Sequence, residues 1–369
     1  MIFTFMKHVL LLALCLYYVT LSSASAQSGK LKPGFDKAEY LEMLSVTSRQ
    51  IDSLKEEKVP APKRSRRLYR SPVVGLDNRW ELWIRDDQVG IISLRGTTEK
   101  AVSWLENFYA AMVPATGQLE LGPDDTFSYK LANNPRAAVH VGWLLGVAYL
   151  SKTILPKMDS CTKAGINEFI IVGHSQGGAL SYLLTSYLNY LRGNRLPASL
   201  RIKTYCSAGP KPGNLHYAYD YEAMTQGGWG FNVVNAADWV PQTPFSIQTI
   251  DDFSPTNPFK DISAGLKKQK FFQRIALNYA FKKMDRPTRK AQKEFQRFLG
   301  DFASKTVQKN LPGYKPSDYF KSNHYVRTGQ FIVLNPDEAY YQKFPDNTKQ
   351  VFIHHFFEPY LMLTNQLKL

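Results

Sequence analysis

Glu168-Phe169-Ile170-Ile171-Val172-Gly173-His174-Ser175-Gln176-Gly177-Gly178-Ala179 is the stretch that decides the fold. The segment from Glu168 to Val172 is almost wholly apolar and reads as a strand. Gly173-His174-Ser175-Gln176-Gly177 then fits the G-x-S-x-G pattern, in which a serine sits on a strained turn and flanking glycines make room for a tight strand-to-helix bend. At average glycine and serine frequencies a chain of this length shows the pattern by chance about one time in ten. Context carries the weight: the apolar strand runs directly in, and the small pair Gly178-Ala179 and an apolar helix to Leu191 run out. The bland alternative is a helix that merely begins with Ser175 as its cap.

Working outward, the chain reads strand again from Arg201 to Cys206 and from Phe231 to Asn235. Upstream, Glu81 to Ile84 and Val89 to Leu94 look like paired strands around a polar Asp86-Asp87 turn. Helical patterns cover Val102 to Met112 and Ala138 to Ile154, and the loop between them, with Pro114, Gly117, Gly122 and Pro123, has the makings of a lid. Strands alternating with helices predict a mostly parallel sheet covered by helices. An N-terminal helix is expected around Lys37 to Leu54. The segment from Lys55 to Ser71, rich in Lys, Arg and Pro without apolar periodicity, reads as a solvated linker. From about 255 to 318 the sequence turns helical and basic, with Phe295, Phe298, Leu299 and Phe302 spaced for one helical face. Ala264 to Lys309 holds 13 Lys and Arg against 3 Asp and Glu, a net +10.

Residues 1–26 combine Lys7, an apolar run from Val9 to Val19 and the small residues Ala24-Ser25-Ala26, the pattern of a signal peptide. The expected organisation is therefore a signal peptide at 1–26, a helical segment and basic linker at 27–71, and one domain at 72–369 carrying the insertion. A secreted or periplasmic location follows from that reading. Beyond the signal only Cys161 and Cys206 remain, so the fold does not depend on a disulfide framework. The net charge of +15 favours anionic surfaces. No nucleic-acid motif accompanies it, so no nucleic-acid partner is expected.

A serine hydroxyl is a poor nucleophile and needs a base to take its proton and an acid to orient that base. Behind a turn of this kind the acid precedes the histidine in the chain. Asp238 follows the strand ending at Asn235 and is the candidate acid; its alternative role is that of a turn former. The histidines after it are His324, His354 and His355, and the order demotes His140, His174 and His216.

Five stretches resemble the lipase class 3 family, the fungal-lipase-like branch of the α/β-hydrolases. They are Leu94-Arg95-Gly96-Thr97 with Trp104 and Asn107, Val139-His140-Val141-Gly142-Trp143, the serine turn itself, Gly209-Pro210-Lys211-Pro212-Gly213-Asn214, and Asp238-Trp239-Val240-Pro241 with Pro244. The resemblance implies an α/β-hydrolase fold, with the helical insertion lying before the catalytic histidine. It implies catalysis by Ser175, Asp238 and His355, with His354 as the alternative histidine. Related sequences often carry a tyrosine five residues after the catalytic histidine, and Tyr360 stands five after His355. Thr97 and Gln176 are the implied oxyanion hole, through the backbone N–H of each and the Thr97 hydroxyl; Arg95 is taken as a structural charge. No metal or organic cofactor is needed for this chemistry.

The expected activity is hydrolysis of carboxylic esters by a triacylglycerol lipase or carboxylesterase acting through an acyl-enzyme. A phospholipase or a polysaccharide esterase stays open within that class, because acyl preference lives in loops that no motif specifies. A different class is a catalytically silent protein that holds a lipid or envelope component. For the insertion two readings compete: a cap or anionic-membrane surface built on Lys267, Lys268, Lys270, Lys282, Lys283, Phe271, Phe272 and Ile275, or an ordinary solvated helix pair.

Overall fold

In the computed structural model, residues 29–52, 54, 56–260 and 270–368 are described. The proposed signal peptide at 1–26 and the lysines Lys267 and Lys268 lie outside them. The chain divides into two units, Met1–Lys32 and Pro33–Leu369. Of the first, only 29–32 are described, and they form no helix or strand.

Pro33–Leu369 is organised by a seven-stranded sheet. Its strands are β1 (Ser65–Arg70), β2 (Trp80–Arg85), β3 (Gly90–Leu94), β8 (Glu168–His174), β9 (Arg201–Ser207), β10 (Gly230–Asn235) and β11 (Gln330–Leu334), in that spatial order. β1, β2 and β3 pair antiparallel, and every pairing from β3 to β11 is parallel. The intervening β4 (Met112–Pro114) and β7 (Ala138–His140) form one small sheet, and β5 (Thr116–Gly122) and β6 (Asp125–Lys130) a hairpin. The parallel strands β8 and β10 are buried almost end to end, as strands covered on both faces must be. Helices α3 (Val141–Lys163) and α4 (Gln176–Leu191) bury Trp143, Leu144, Leu180 and Leu183 in the same core as Ile92, Phe169 and Ile171. This is the α/β-hydrolase arrangement.

Register positions the site. Leu94 pairs with Gly173 and His174 with Ser207, so the carboxyl ends of β3, β8 and β9 finish together. Arg95-Gly96-Thr97, Ser175 and the segment leading to Asp238 therefore all emerge at one edge of the sheet, where open parallel sheets gather their ligands.

Four sequence expectations change. Residues 65–70, read as part of a solvated linker, are the edge strand β1: their charged side chains find partners across the pair, Arg67 and Arg70 both bonding the buried Glu81 carboxylate at 3.0 and 2.5 Å. The N-terminal helix α1 (Lys37–Ser48) is equally part of this unit, burying Tyr40, Met43, Leu44 and Val46. Its Glu39 receives Arg85 at 2.6 Å, Lys203 at 2.6 Å and Tyr205 at 2.7 Å. The proposed lid loop is instead strand β4 and the β5–β6 hairpin, with Leu119, Leu121 and Tyr129 buried; helix α2 stops at Phe108 (Ala101–Phe108). Phe295, Phe298, Leu299 and Phe302 do not share a face. A π-helical segment at Arg297–Phe302 alters the helical phase, so Phe295 is buried while Phe298 and Phe302 are exposed.

Within the segment read as an insertion, residues 271–310 are helical. They form α6 (Phe271–Gln296), the π segment and α7 (Ala303–Asn310), preceded in the chain by α5 (Leu215–Thr225). The C-terminal part of this stretch is anchored by Phe295 and Leu299 against Ala110, Met112 and Tyr325, and by Val307 in the main core. Towards the N-terminus of α6, Leu277, Phe281 and Met284 line an apolar cavity of about 550 Å³ with Ile250, Phe253 and Phe259. A final pair of helices, α8 (Glu338–Lys343) and α9 (Phe357–Gln366), closes the chain.

Candidate active site

The serine turn is built by steric necessity. A Cβ at position 173 would stand 2.1 Å from the Gly177 carbonyl oxygen, and one at 177 would stand 2.4 Å from that of Leu94. Only glycine permits so close a return of the backbone. Ser175 itself holds φ 61° and ψ −130°, a strained conformation for an L-residue. Its side chain makes no capping bond to α4, so the cap reading is set aside. Its backbone N–H donates to the Ser207 carbonyl at 3.0 Å, tying the turn to β9.

His355 Nδ1 lies 2.7 Å from Asp238 Oδ2, and both side chains are buried. Asp238 also accepts the Tyr360 hydroxyl on Oδ2 at 2.8 Å and the Val240 backbone N–H on Oδ1 at 3.0 Å. Burial by itself raises the pKa of this carboxyl, but His355 and these donors outweigh it and hold it below the ordinary aspartate value. An ionised Asp238 accepts only, so Nδ1 carries the imidazole proton. In the neutral imidazole Nε2 is then the lone-pair nitrogen; it is buried and without a hydrogen-bond partner among the described residues. That is the arrangement a general base needs.

His354 is engaged elsewhere, with Nδ1 at 2.8 Å from the Tyr340 hydroxyl and Nε2 at 3.0 Å from Asp346. His324 lines a separate cavity of about 470 Å³ with Arg136, His216, Asp252 and Lys321, which contains none of Ser175, Asp238 and His355.

As the first residue of α4, Gln176 has a backbone N–H with no acceptor inside the helix. Its side-chain Oε1 accepts from the Thr97 hydroxyl at 2.8 Å and from Asn107 Nδ2 at 3.2 Å. The Thr97 hydroxyl proton is thus committed to Gln176 rather than to the oxyanion expected of it. Gly96 brings this segment close to the serine: a Cβ there would be 3.4 Å from Ser175 Cβ. Arg95 donates to the Asp77 carbonyl at 2.6 Å and its carboxylate at 3.1 Å, consistent with a structural charge.

Residues 91–248 match the model of the family described as Lipase (class 3). Over those residues the chain is similar to the class 3 lipases. No curated protein sequence matches it. Among solved structures, Lip2 lipase from Yarrowia lipolytica is 16% identical, with a TM-score of 0.41 over 59% of this chain and 79% of that one. Lipase II from Rhizopus niveus is 22% identical, with a TM-score of 0.40 over 56% and 74%. A triacylglycerol lipase from Penicillium expansum is 15% identical, with a TM-score of 0.43 over 57% and 75%. The fold stands on strand order and register rather than on these likenesses.

The family match spans Thr97, Ser175, Gln176 and Asp238 and ends before His355. His174, demoted by its place in the chain, touches the site after all: its Nε2 lies 2.7 Å from the His355 carbonyl oxygen and its Nδ1 3.0 Å from Ser207 Oγ. Burial, and then the nearby His355, lower its pKa to about 3. It is therefore neutral, donating through Nε2 and accepting through Nδ1. Glu106, whose carboxyl accepts from Gln176 Nε2 at 2.8 Å, carried no local signal in the sequence either, being one acidic residue in an amphipathic helix.

Proposed function

We propose that this lipase-like protein cleaves carboxylic esters through a Ser175-His355-Asp238 triad and an acyl-enzyme. The observation that carries the reading is the 2.7 Å contact of His355 Nδ1 with buried Asp238, which leaves Nε2 free beside a strained serine turn. Ser175 Oγ attacks the ester carbonyl as His355 Nε2 takes its proton, and Asp238 stabilises the imidazolium. The tetrahedral oxygen is held by the backbone N–H groups of Thr97 and Gln176, one such donor being worth about 2.7 to 4 kcal/mol of barrier. The imidazolium protonates the departing alcohol, and water then releases the acid by the same steps in reverse order of groups.

An aromatic rim supports an apolar acyl group. Phe352 packs against His355, Trp104 and Trp239 at ring distances of 5.9, 5.9 and 5.3 Å, and Trp239 and Phe108 are exposed nearby. A triacylglycerol lipase or carboxylesterase is the substrate class we favour, exported by way of residues 1–26.

The basic insertion is the surface we assign to anionic lipid. Phe271, Phe272 and Tyr279 on α6 are 60, 83 and 64% exposed, and the same helical side continues with exposed Lys282, Lys283, Arg286 and Lys290.

Hydrolysis of p-nitrophenyl butyrate and palmitate by the mature protein, beside Ser175→Ala, His355→Ala and His354→Ala, tests the reading. Loss on the order of a millionfold in turnover is expected for Ser175→Ala and a comparable collapse for His355→Ala, with His354→Ala largely spared. A folded wild type inert on every ester and unlabelled by a fluorophosphonate would instead favour a lipid-holding protein. Preference for acetyl esters or phospholipids would redirect the substrate class.

A further inference from the structure

We propose that Glu106 is a positioning residue that sets the two oxyanion donors through the side chain of Gln176. The proposal rests on the triad reading above. Glu106 lies in α2, fully buried, and makes no ion pair among the described residues. Its Oε1 accepts from Gln176 Nε2 at 2.8 Å and its Oε2 from Asn78 Nδ2. Helix α3 leaves a slot for the carboxyl: a Cβ on Gly146 would come within 2.5 Å of Oε1. A buried carboxyl with no cation is a costly thing to keep in a core. Burial pushes its pKa up to about 8, against the pull of those two amides.

The neighbouring bonds leave one orientation open to Gln176. Trp143 Nε1 donates to Asn107 Oδ1 at 2.9 Å, so Asn107 must present its Nδ2, which reaches Thr97 Oγ1 at 2.8 Å and Gln176 Oε1 at 3.2 Å. Gln176 therefore turns Oε1 towards Thr97 and Asn107, and its Nε2 requires an acceptor on the far side. Glu106 is that acceptor. The resulting clamp joins Thr97, which follows β3, to Gln176, the first residue of α4, the two residues whose N–H groups must converge on one oxygen. Displacement of about 1 Å in such a constellation costs on the order of 100-fold in rate.

Glu106→Gln tests this with little change of volume. Each oxygen of the carboxyl keeps a lone pair whether or not it is protonated, whereas the NH2 of a carboxamide cannot accept, so one of the two amide donors goes unmet and Gln176 loses its bond or turns over. Expected is a fall in kcat of about 10- to 100-fold on p-nitrophenyl butyrate, with KM within about 2-fold, since the donors act in the transition state. The exchanged pair, Glu106→Gln with Gln176→Glu, restores donor to acceptor and is expected to recover most of that loss. A kcat for Glu106→Gln within about 2-fold of wild type, or a loss that the exchanged pair leaves in place, overturns the role. If Glu106→Gln does not fold, Gln176→Met removes the clamp from the other side while keeping the backbone N–H, and an unchanged kcat there overturns the role equally. Ser175→Ala runs in parallel: retained turnover would bring down the triad reading and this role together. Activity that needs Ser175 yet ignores Glu106 brings down this role alone.

Discussion

His174 donates from Nε2 to the backbone carbonyl of His355 at 2.7 Å, so the residue before the serine holds the loop that carries the proposed base. On its other side Nδ1 accepts from Ser207 Oγ, which in turn meets the Tyr40 hydroxyl at 2.7 Å. His174→Phe keeps an aromatic ring but withdraws the donor, leaving a buried carbonyl unmet at a cost of about 1–3 kcal/mol. Urea denaturation should register that loss, and kcat should fall by about 10- to 100-fold through misplacement of His355. Wild-type kcat in the folded variant would mean the loop is held by other contacts.

Glu39 is the anchor of the N-terminal helix. Removing it leaves Arg85 and Lys203 buried beside each other without their shared carboxylate. Glu39→Ala is expected to destabilise the protein by about 3–5 kcal/mol, the range found when one partner of a buried ion pair is deleted. Denaturant melting measures it; an effect below 1 kcal/mol would show that water or Asp87 takes over the cations.

Glu106 makes stability depend on pH. Its folded pKa of about 8 stands above the ordinary glutamate value of 4.5, so the folded state binds the proton more tightly than the unfolded chain. The stability this contributes is complete below pH 4.5 and is lost as pH rises towards and through 8. Melting temperatures of wild type and Glu106→Gln, taken from pH 5 to 9, should therefore diverge, wild type losing ground as pH rises. A constant difference across that range would mean Glu106 does not titrate there.

Phe352 sits among three rings beside the proposed base. Phe352→Ser removes apolar surface worth about 1.5–3 kcal/mol when fully covered. Long-chain esters should lose kcat/KM by about tenfold or more, with acetyl esters nearly unaffected, as chain-length profiling will reveal. Equal losses on all chain lengths would point to a disturbed His355 instead.

The exposed side of α6 predicts sedimentation with vesicles of anionic phospholipid, weakening in high salt as exposed charges are screened. Phe271→Ser with Phe272→Ser should weaken binding by about tenfold without altering hydrolysis of a soluble ester. Equal binding to zwitterionic vesicles, or none to anionic ones, would return the helix to the role of solvated scaffold.

The central strands and the serine turn were legible in the sequence because they are local. Phe169 to Val172 need cover on both faces, and Gly173 and Gly177 answer a clash within a few residues of themselves. The order of Ser175, Asp238 and the late histidines was legible too, since chain order follows from topology. Residues 65–70 were misread because charges on an edge strand look solvated until Glu81, on the neighbouring strand, is seen to receive them. The phase of Phe298 and Phe302 was hidden because one π-helical turn rotates a helix without altering its composition.

The sequence by itself determined a parallel sheet with a serine at the end of a central strand, an acid two strand-crossings later and a pair of adjacent histidines, because spacing and polarity are written into neighbouring residues. Only the tertiary structure decided which histidine meets Asp238 and what surrounds Gln176. His354 and His355 lie in a turn whose side chains diverge to Asp346 and Asp238. The contacts of Glu106 form only where α2, α3 and α4 converge, for the partners of a buried carboxyl are distant in sequence and its burial has no local signature.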